Sequence, residues 1–251
     1  MKALISALFV VSLLPSSAFA QRGDVCEVPG YLLFGEQELN QVTKAVKENQ
    51  RLDIAIIGSG SSTLPGPDGQ LQAYPAKLEV ALKRRLPNIE VRVTAHATGR
   101  ETAATMAKEL EKIVAQEKPS LVIWQTGTVD AMRGAEPDEF GAVLNEGVEK
   151  VQAAGADVIL MNMQYSPRTE TMIAVGPYAE NMRWAAQRRG VPLFDRLGIM
   201  RHWSDTGAFD FYSSTRANAL AHKVHDCIGR ALATQIIDAA QLGPMTAKVA
   251  P

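Results

Sequence analysis

The sequence predicts a single α/β domain in three layers, with helices on both faces of a parallel sheet. Two observations predict it. Short runs that are apolar throughout alternate with amphipathic segments of helical length, the pattern of a sheet buried on both sides. The 251 residues, 46% hydrophobic and 21% charged, suit one globular domain of this kind, and no repeat or low-complexity tract interrupts the alternation.

The first twenty residues predict a signal peptide and lie outside the predicted domain. Lys2 provides a positive start, an apolar run follows as far as Leu14, and Ala18 and Ala20 occupy the small-x-small positions of a cleavage site. The mature chain is therefore expected to start at Gln21, in the periplasm or outside the cell. The apolar run is too short to span a bilayer, and we expect no membrane span after its removal.

Residues 21–50 are expected to form an arm with a surface helix at 36–49, followed by the domain at 51–240 and a tail at 241–251. Apolar runs bounded by turn residues predict the strands, and apolar positions at helical spacing predict the helices. The predicted elements, in order, are strand 52–57, helix 74–86, strand 89–95, a helix with its stripe at 103–114, strand 121–124, helix 139–153, strand 158–161, helix 178–189, strand 192–194 and a final helix to about residue 240.

Charge and motifs exclude several classes of function. The 26 basic and 27 acidic side chains are nearly balanced, so we expect neither nucleic acid nor an anionic membrane as a partner. The glycine-rich turn at 58–62 lacks the Lys-Ser/Thr of a P-loop and the third glycine of a dinucleotide fingerprint. Two distant cysteines and no clustered histidines predict no metal site, and we expect no cofactor.

Cys26 and Cys227 are the two cysteines, and both follow the predicted cleavage site. In an oxidising compartment they predict one disulfide that joins the N-terminal arm to the last helix. Two buried free thiols are the alternative, because cysteine packs well as a small apolar residue.

Four sequence blocks resemble those of the SGNH/GDSL hydrolases. Residues 56–63, Ile-Ile-Gly-Ser-Gly-Ser-Ser-Thr, stand where the family ends its first strand with Gly-Asp-Ser-x-Ser/Thr. Gly99 follows the second strand, and residues 124–130, Trp-Gln-Thr-Gly-Thr-Val-Asp, stand for the Gly-x-Asn-Asp block. Residues 219–222 have the spacing of the last block, Asp-x-x-His. The resemblance implies a flavodoxin-like sheet, the SGNH hydrolase fold, and a serine esterase or carbohydrate O-deacylase.

The blocks also depart from the family. Matched backwards from Thr63, the nucleophile is Ser61; matched forwards from Gly58, Gly60 takes its place and no nucleophile remains. Val129 replaces the family's oxyanion asparagine, and Ala219 replaces the aspartate of the last block. A missing oxyanion donor costs about 2.7–4 kcal/mol of transition-state stabilisation, which predicts slow turnover.

The resemblance therefore assigns Ser61 as the nucleophile, with an oxyanion site at the backbone N–H groups of Ser61 and Gly99. His222 or His225 is the expected base, and neither is the third possibility. If Ser213 or a neighbouring serine caps the last helix, His222 lies inside that helix, whereas a catalytic histidine belongs to the loop before it.

Two hypotheses of function follow. The first is an exported serine hydrolase that slowly cleaves an ester of a small molecule or carbohydrate. The second is a catalytically degraded relative that binds a glycan or a protein. Asp130 is expected either to orient the site or to cap a helix or turn. Trp124 and Trp184 are both expected in the core rather than as platforms that stack on a sugar.

Overall fold

The computed structural model describes residues 24–213 and 217–243. The predicted signal peptide, its cleavage before Gln21 and residues 244–251 of the predicted tail lie outside the described residues.

Five parallel strands form one sheet in the order β2-β1-β3-β4-β5, which confirms the predicted flavodoxin-like fold. Two of the three interior strands, β1 and β3, are buried along almost their whole length. At their carboxyl ends, Ile57 pairs with His96 on one side and with Trp124 on the other. The strands are β1 (Arg51–Gly58), β2 (Glu90–Ala97), β3 (Leu121–Gln125), β4 (Asp157–Met161) and β5 (Leu193–Phe194).

Helices cover the sheet in two groups. One group packs α3 against α10, with α1 joined to the end of α10 through the Thr43 hydroxyl, which donates to the Ala240 carbonyl at 2.8 Å. In the other group α6 packs between α4 and α8. The helices are α1 (Asn40–Asn49), α2 (Gly69–Gln72), α3 (Tyr74–Arg85), α4 (Ala103–Glu117), α5 (Thr128–Arg133), α6 (Pro137–Ala153), α7 (Pro167–Met172), α8 (Gly176–Arg189), α9 (Arg196–Asp205) and α10 (Ala217–Ala239).

Tryptophan placement confirms one core prediction and overturns another. Trp124 is fully buried, and α6 approaches its ring at Gly147, where an added Cβ would lie 2.5 Å from the indole. Trp184 is 61% exposed. It lies on the outer side of α8, because Met182, Ala185 and Ala186 already form the buried side of that helix. The expectation that Trp184 belongs to the core is therefore wrong.

The N-terminal arm is fixed to the domain by the predicted disulfide. Cys26 and Cys227 are bonded, with their Cα atoms 5.0 Å apart, and they are separated by 201 positions in the sequence. Beside them, the indole N–H of Trp203 donates to the Glu27 carbonyl at 2.9 Å. The bond confirms the pairing and overturns the free-thiol alternative.

The segment between β5 and the last helix differs from the prediction. Residues Arg196–Asp205 form the helix α9, which is not among the elements predicted from the sequence. The last helix begins at Ala217, after residues 214–216, which the structure leaves undescribed. His222 therefore lies inside α10, as the helix-capping argument required.

Candidate active site

Ser61 lies just beyond the carboxyl end of β1, in a short 3₁₀ turn that spans Gly60–Ser62. The turn is closed by the Ser62 N–H, which donates to the Ser59 carbonyl at 2.9 Å. Ser59 and Ser62 are buried, with 5% and 2% exposure, whereas Ser61 is partly exposed. Of these three hydroxyls, that of Ser61 is the one a substrate can reach.

A single buried carbonyl organises the three serines. The Oε1 atom of Gln125 accepts hydrogen bonds from the hydroxyls of Ser62, Ser61 and Ser59 at 2.8, 3.2 and 3.3 Å, and from the Ser59 N–H at 3.1 Å. Gln125 ends β3 and is fully buried, and its Nε2 has no partner within the described chain. Its role was not predicted from the sequence, although a polar residue that closes an otherwise apolar strand is a usable signal.

Arg196 supplies a positive charge to the same hydroxyl. Its Nη2 donates to the Ser61 Oγ at 3.1 Å, and its Nη1 donates to the Ser61 carbonyl at 3.4 Å. The side chain is 1% exposed, its Nε is unpartnered, and within the part of the chain that is described no carboxylate forms an ion pair with it. Burial lowers the pKa of Arg196 to about 10, so the guanidinium remains charged at neutral pH.

His225 is buried beneath this cluster with one ring nitrogen already occupied. Its Nδ1 accepts the backbone N–H of Tyr74 at 2.9 Å, and the Tyr74 hydroxyl is hydrogen-bonded to the Ser62 hydroxyl at 2.9 Å. Burial, followed by the charges of Arg196 and His222, lowers the pKa of His225 to about 4. The ring is therefore neutral at pH 7, and the lone pair of Nδ1 is not available to take a proton from Ser61.

His222 lies on the exposed side of α10. It lines a small cleft of about 190 Å³ with Asn218 and the segment 64–69. All four histidines of the chain are among the described residues, and the side-chain partners of the Ser61 hydroxyl found there are Ser59, Gln125 and Arg196. The structure thus brings neither predicted base into hydrogen-bond contact with Ser61.

The predicted oxyanion residues are close neighbours. The Thr98 N–H donates to the Gly58 carbonyl at 3.0 Å, which holds the end of β2 against the end of β1. A Cβ added to Gly60 would lie 3.9 Å from the Gly99 Cα, so the turn that contains Ser61 and the Gly99 backbone face one another. Small residues at both positions leave this space open for a substrate oxygen.

Comparison with known families supports the resemblance. Residues 25–242 match the model of the non-GDSL lipase-like family. The chain belongs to this family and is a member of the SGNH/GDSL hydrolases.

One relative of the chain is an esterase. The esterase TesA of Pseudomonas aeruginosa is 31% identical over 114 residues, which cover 45% of this chain and 55% of TesA; the chain thus matches about half the length of this relative. A crystal structure of TesA, 21% identical, superposes with a TM-score of 0.57 over 73% of this chain and 99% of the other. A mutant of the acetylxylan esterase Axe2 from Geobacillus stearothermophilus, 19% identical, superposes with a TM-score of 0.61 over 74% of this chain and 94% of Axe2. These superpositions show the shared fold.

The remaining family blocks lie in helices near the sheet edge. Val129 is the second residue of α5, and Ala219 lies in the first turn of α10. Asp130, buried in α5, accepts the N–H of Ala103 at 2.9 Å and the Thr126 hydroxyl at 3.3 Å. Of the two roles expected for Asp130, these contacts match the cap, here at the start of α4.

Two features are absent from the described part of the chain. There, no three or more side chains of histidine, cysteine, aspartate or glutamate gather as metal ligands would. Nor does any helix in those ranges combine the length and apolar character that a membrane span requires.

Proposed function

We propose that the protein is an exported ester hydrolase of the SGNH type, with Ser61 as its nucleophile and a slow rate. One observation carries the proposal. The Ser61 hydroxyl lies at the carboxyl end of β1, between the Gln125 carbonyl and the Arg196 guanidinium, and no histidine is among its described partners. This position supports Ser61 as the nucleophile, and the lack of a base among these partners supports a low rate.

The reaction makes a bond from the Ser61 Oγ to the ester carbonyl carbon and breaks the bond from that carbon to the alcohol oxygen. The alcohol leaves with a proton taken from water, and a water molecule then hydrolyses the acyl-serine to the free acid and restores the Ser61 hydroxyl. Ser61 must lose its proton before or during attack, and an amide carbonyl such as that of Gln125 is too weak a base to keep it. The proton therefore passes to water or hydroxide, and the rate follows the small fraction of Ser61 present as alkoxide.

Arg196 increases that fraction. A guanidinium that donates to the Oγ at 3.1 Å stabilises the alkoxide more than the hydroxyl. Its burial strengthens the effect, because water screens a charge less in a site that contains little water. Arg196 thus partly compensates for the missing base.

Export rests on the predicted signal peptide, and the Cys26–Cys227 disulfide supports it, since such bonds persist in oxidising compartments. We extend the proposal to esters of small molecules or carbohydrates. The family resemblance and the acetylxylan esterase among the structural neighbours support this substrate class.

A second candidate is a protein that binds at this site without turnover. Matched forwards from Gly58, the nucleophile position of the family block falls on Gly60, which has no hydroxyl. Together with Val129 and the absence of a histidine at Ser61, this favours a ligand that is held but not cleaved.

Hydrolysis of p-nitrophenyl acetate separates the two candidates. The proposed hydrolase loses its activity in Ser61→Ala and keeps most of it in the matched control Ser59→Ala, whose hydroxyl is buried. Val129→Asn raises kcat by up to about a hundredfold if its amide reaches the oxyanion. A wild-type rate equal to that of Ser61→Ala, with no gain in Val129→Asn, would support the binding protein instead.

A further inference from the structure

No histidine or carboxylate in the described part of the chain contacts the Ser61 hydroxyl. Every histidine, aspartate and glutamate of the sequence falls within that part. The side-chain partners of the hydroxyl there are Ser59 at 3.4 Å, Gln125 at 3.2 Å and Arg196 at 3.1 Å. A hydroxyl, an amide and a guanidinium all accept protons poorly at neutral pH, so these partners provide no general base.

The two histidines predicted as bases do not fill this role. The Nδ1 of His225 accepts the Tyr74 N–H at 2.9 Å, so in the neutral ring the proton lies on Nε2 and no lone pair remains free. His222 is exposed on α10, in the cleft that it forms with the segment 64–69. Neither ring is thus placed to take a proton from a water molecule at Ser61.

The two halves of ester cleavage at Ser61 depend on a base to different extents. In the first half the Ser61 Oγ attacks, and an activated ester releases a stable anion, such as a phenolate, that needs no proton. In the second half neutral water attacks, and water is a weak nucleophile until a base takes its proton. Arg196 stabilises the Ser61 oxygen as it attacks and as it leaves, but a cation cannot deprotonate the water. The acyl group therefore stays on Ser61.

An amine avoids this limitation, because its lone pair attacks without prior loss of a proton. The positive charge of Arg196, 3.1 Å from the Ser61 Oγ, disfavours the protonated form of an amine that approaches the acyl carbon. In the transfer the bond from nitrogen to carbon forms, the bond from carbon to Oγ breaks, and one proton passes from the nitrogen to Oγ. The products are an amide and the free Ser61 hydroxyl.

The space beside Ser61 is open to an acceptor. Ser61 is partly exposed, and a Cβ added to Gly60 would still lie 3.9 Å from the Gly99 Cα, so two backbones without side chains border the site. We propose that Ser61 accepts an acyl group from an activated ester, retains it and transfers it to a primary amine. The inference rests on the proposed role of Ser61 as the nucleophile, and it changes the product from a free acid to an amide.

Retention of the acyl group is measured with excess p-nitrophenyl acetate. The wild type should release about one p-nitrophenol per chain in a rapid phase, followed by a slower steady release. Mass spectrometry after an acid quench should locate one acetyl group on Ser61. Ser61→Ala should show neither, whereas Ser204→Ala, which removes a hydroxyl from the far end of α9, should match the wild type.

Transfer is measured on the acetylated chain after unreacted ester has been removed. Loss of the acetyl group is followed at about pH 8, where about half of an α-amino group is unprotonated. The additions are buffer, glycinamide, or the N,N,N-trimethyl derivative of glycinamide, which has no amine lone pair. Glycinamide should speed the loss at least about tenfold and yield N-acetylglycinamide, and the trimethyl control should match buffer. His222→Ala should leave all three rates unchanged.

The outcomes separate this inference from the proposed function. A wild type without any acetyl group on Ser61 would contradict both. An acetyl group that forms on Ser61 but is hydrolysed as fast as it forms, without a rapid phase, would leave Ser61 as the nucleophile and overturn the transfer. Two other results would also overturn the transfer alone. One is an acetylated chain that loses its acetyl group no faster with glycinamide than with the trimethyl control. The other is an acetyl group that lasts longer in His222→Ala, which would identify His222 as the base for water.

Discussion

Two buried polar clusters near the same edge of the sheet differ in how completely they are satisfied. The Asp130 carboxylate accepts hydrogen bonds from Ala103 and Thr126 and ties α5 to the start of α4. Around Ser61, in contrast, Arg196 has an unpartnered Nε and Gln125 an unpartnered Nε2 within the described residues. The first cluster has the features of structural support. The second retains unused donors and a buried charge, as a binding or catalytic site does.

Arg196→Met gives the largest expected effect. The Ser61 alkoxide loses its cation, so hydrolysis at Ser61 should fall by about 10²–10³, by analogy with a lost oxyanion donor. Stability should hold or increase, because an apolar side chain replaces a buried charge that has no ion-pair partner in the described chain. Rates of p-nitrophenyl acetate hydrolysis and urea unfolding measure the two quantities.

The control for this change is Arg183→Met, whose side chain is 61% exposed. Arg183→Met should change neither the rate of hydrolysis nor the stability to urea. A large loss of stability in Arg196→Met with unchanged kcat would instead show that the role of Arg196 is structural, as we infer for Asp130.

A second expected effect concerns acid. The pKa of His225 is about 4 in the folded chain against 6.5 for a free histidine. As the pH falls from about 6.5 to about 4, the unfolded chain takes up a proton on this residue and the folded chain does not. The free energy of unfolding therefore falls by up to about 3 kcal/mol over this range of pH.

His225→Asn isolates this contribution, because its amide oxygen can still accept the Tyr74 N–H but does not titrate. Urea unfolding from about pH 7 to about pH 4 should show a smaller loss of stability in His225→Asn than in the wild type. Parallel losses would show that His225 is not the neutral, buried group described above. Arg196→Met should raise the pKa of His225, which NMR titration detects, since the guanidinium charge helps to lower it.

The smallest expected effect belongs to the satisfied cluster. Asp130→Ala leaves the Ala103 N–H without its acceptor and should cost about 1–3 kcal/mol of stability. The ester hydrolysis rate of the folded variant should remain that of the wild type. Glu48→Ala, on the exposed side of α1, is the control for stability. A loss of kcat in folded Asp130→Ala would contradict a purely structural role.

The sequence predicted the sheet and the disulfide but not the surroundings of Ser61. Apolar strands and helical stripes depend on local spacing, which is readable along the chain. Arg196 is different, because arginine is rarely buried and no motif marks it. Its contact with Ser61 arises only when one sheet contains both β1 and β5, which are not neighbours in that sheet. The exposed position of Trp184 was readable, since two helical positions separate it from the buried Met182.

The most direct test of the central claim is the pH dependence of covalent labelling at Ser61. A fluorophosphonate is reacted from about pH 5 to about pH 9, a range that spans the titration of a histidine, with the wild type, Ser61→Ala and His222→Ala. Mass spectrometry locates the adduct. The account predicts an adduct on Ser61 whose rate of formation rises throughout this range, unchanged by His222→Ala and absent in Ser61→Ala. A rate that levels off near a histidine pKa and collapses in His222→Ala, or no adduct on Ser61, would contradict it.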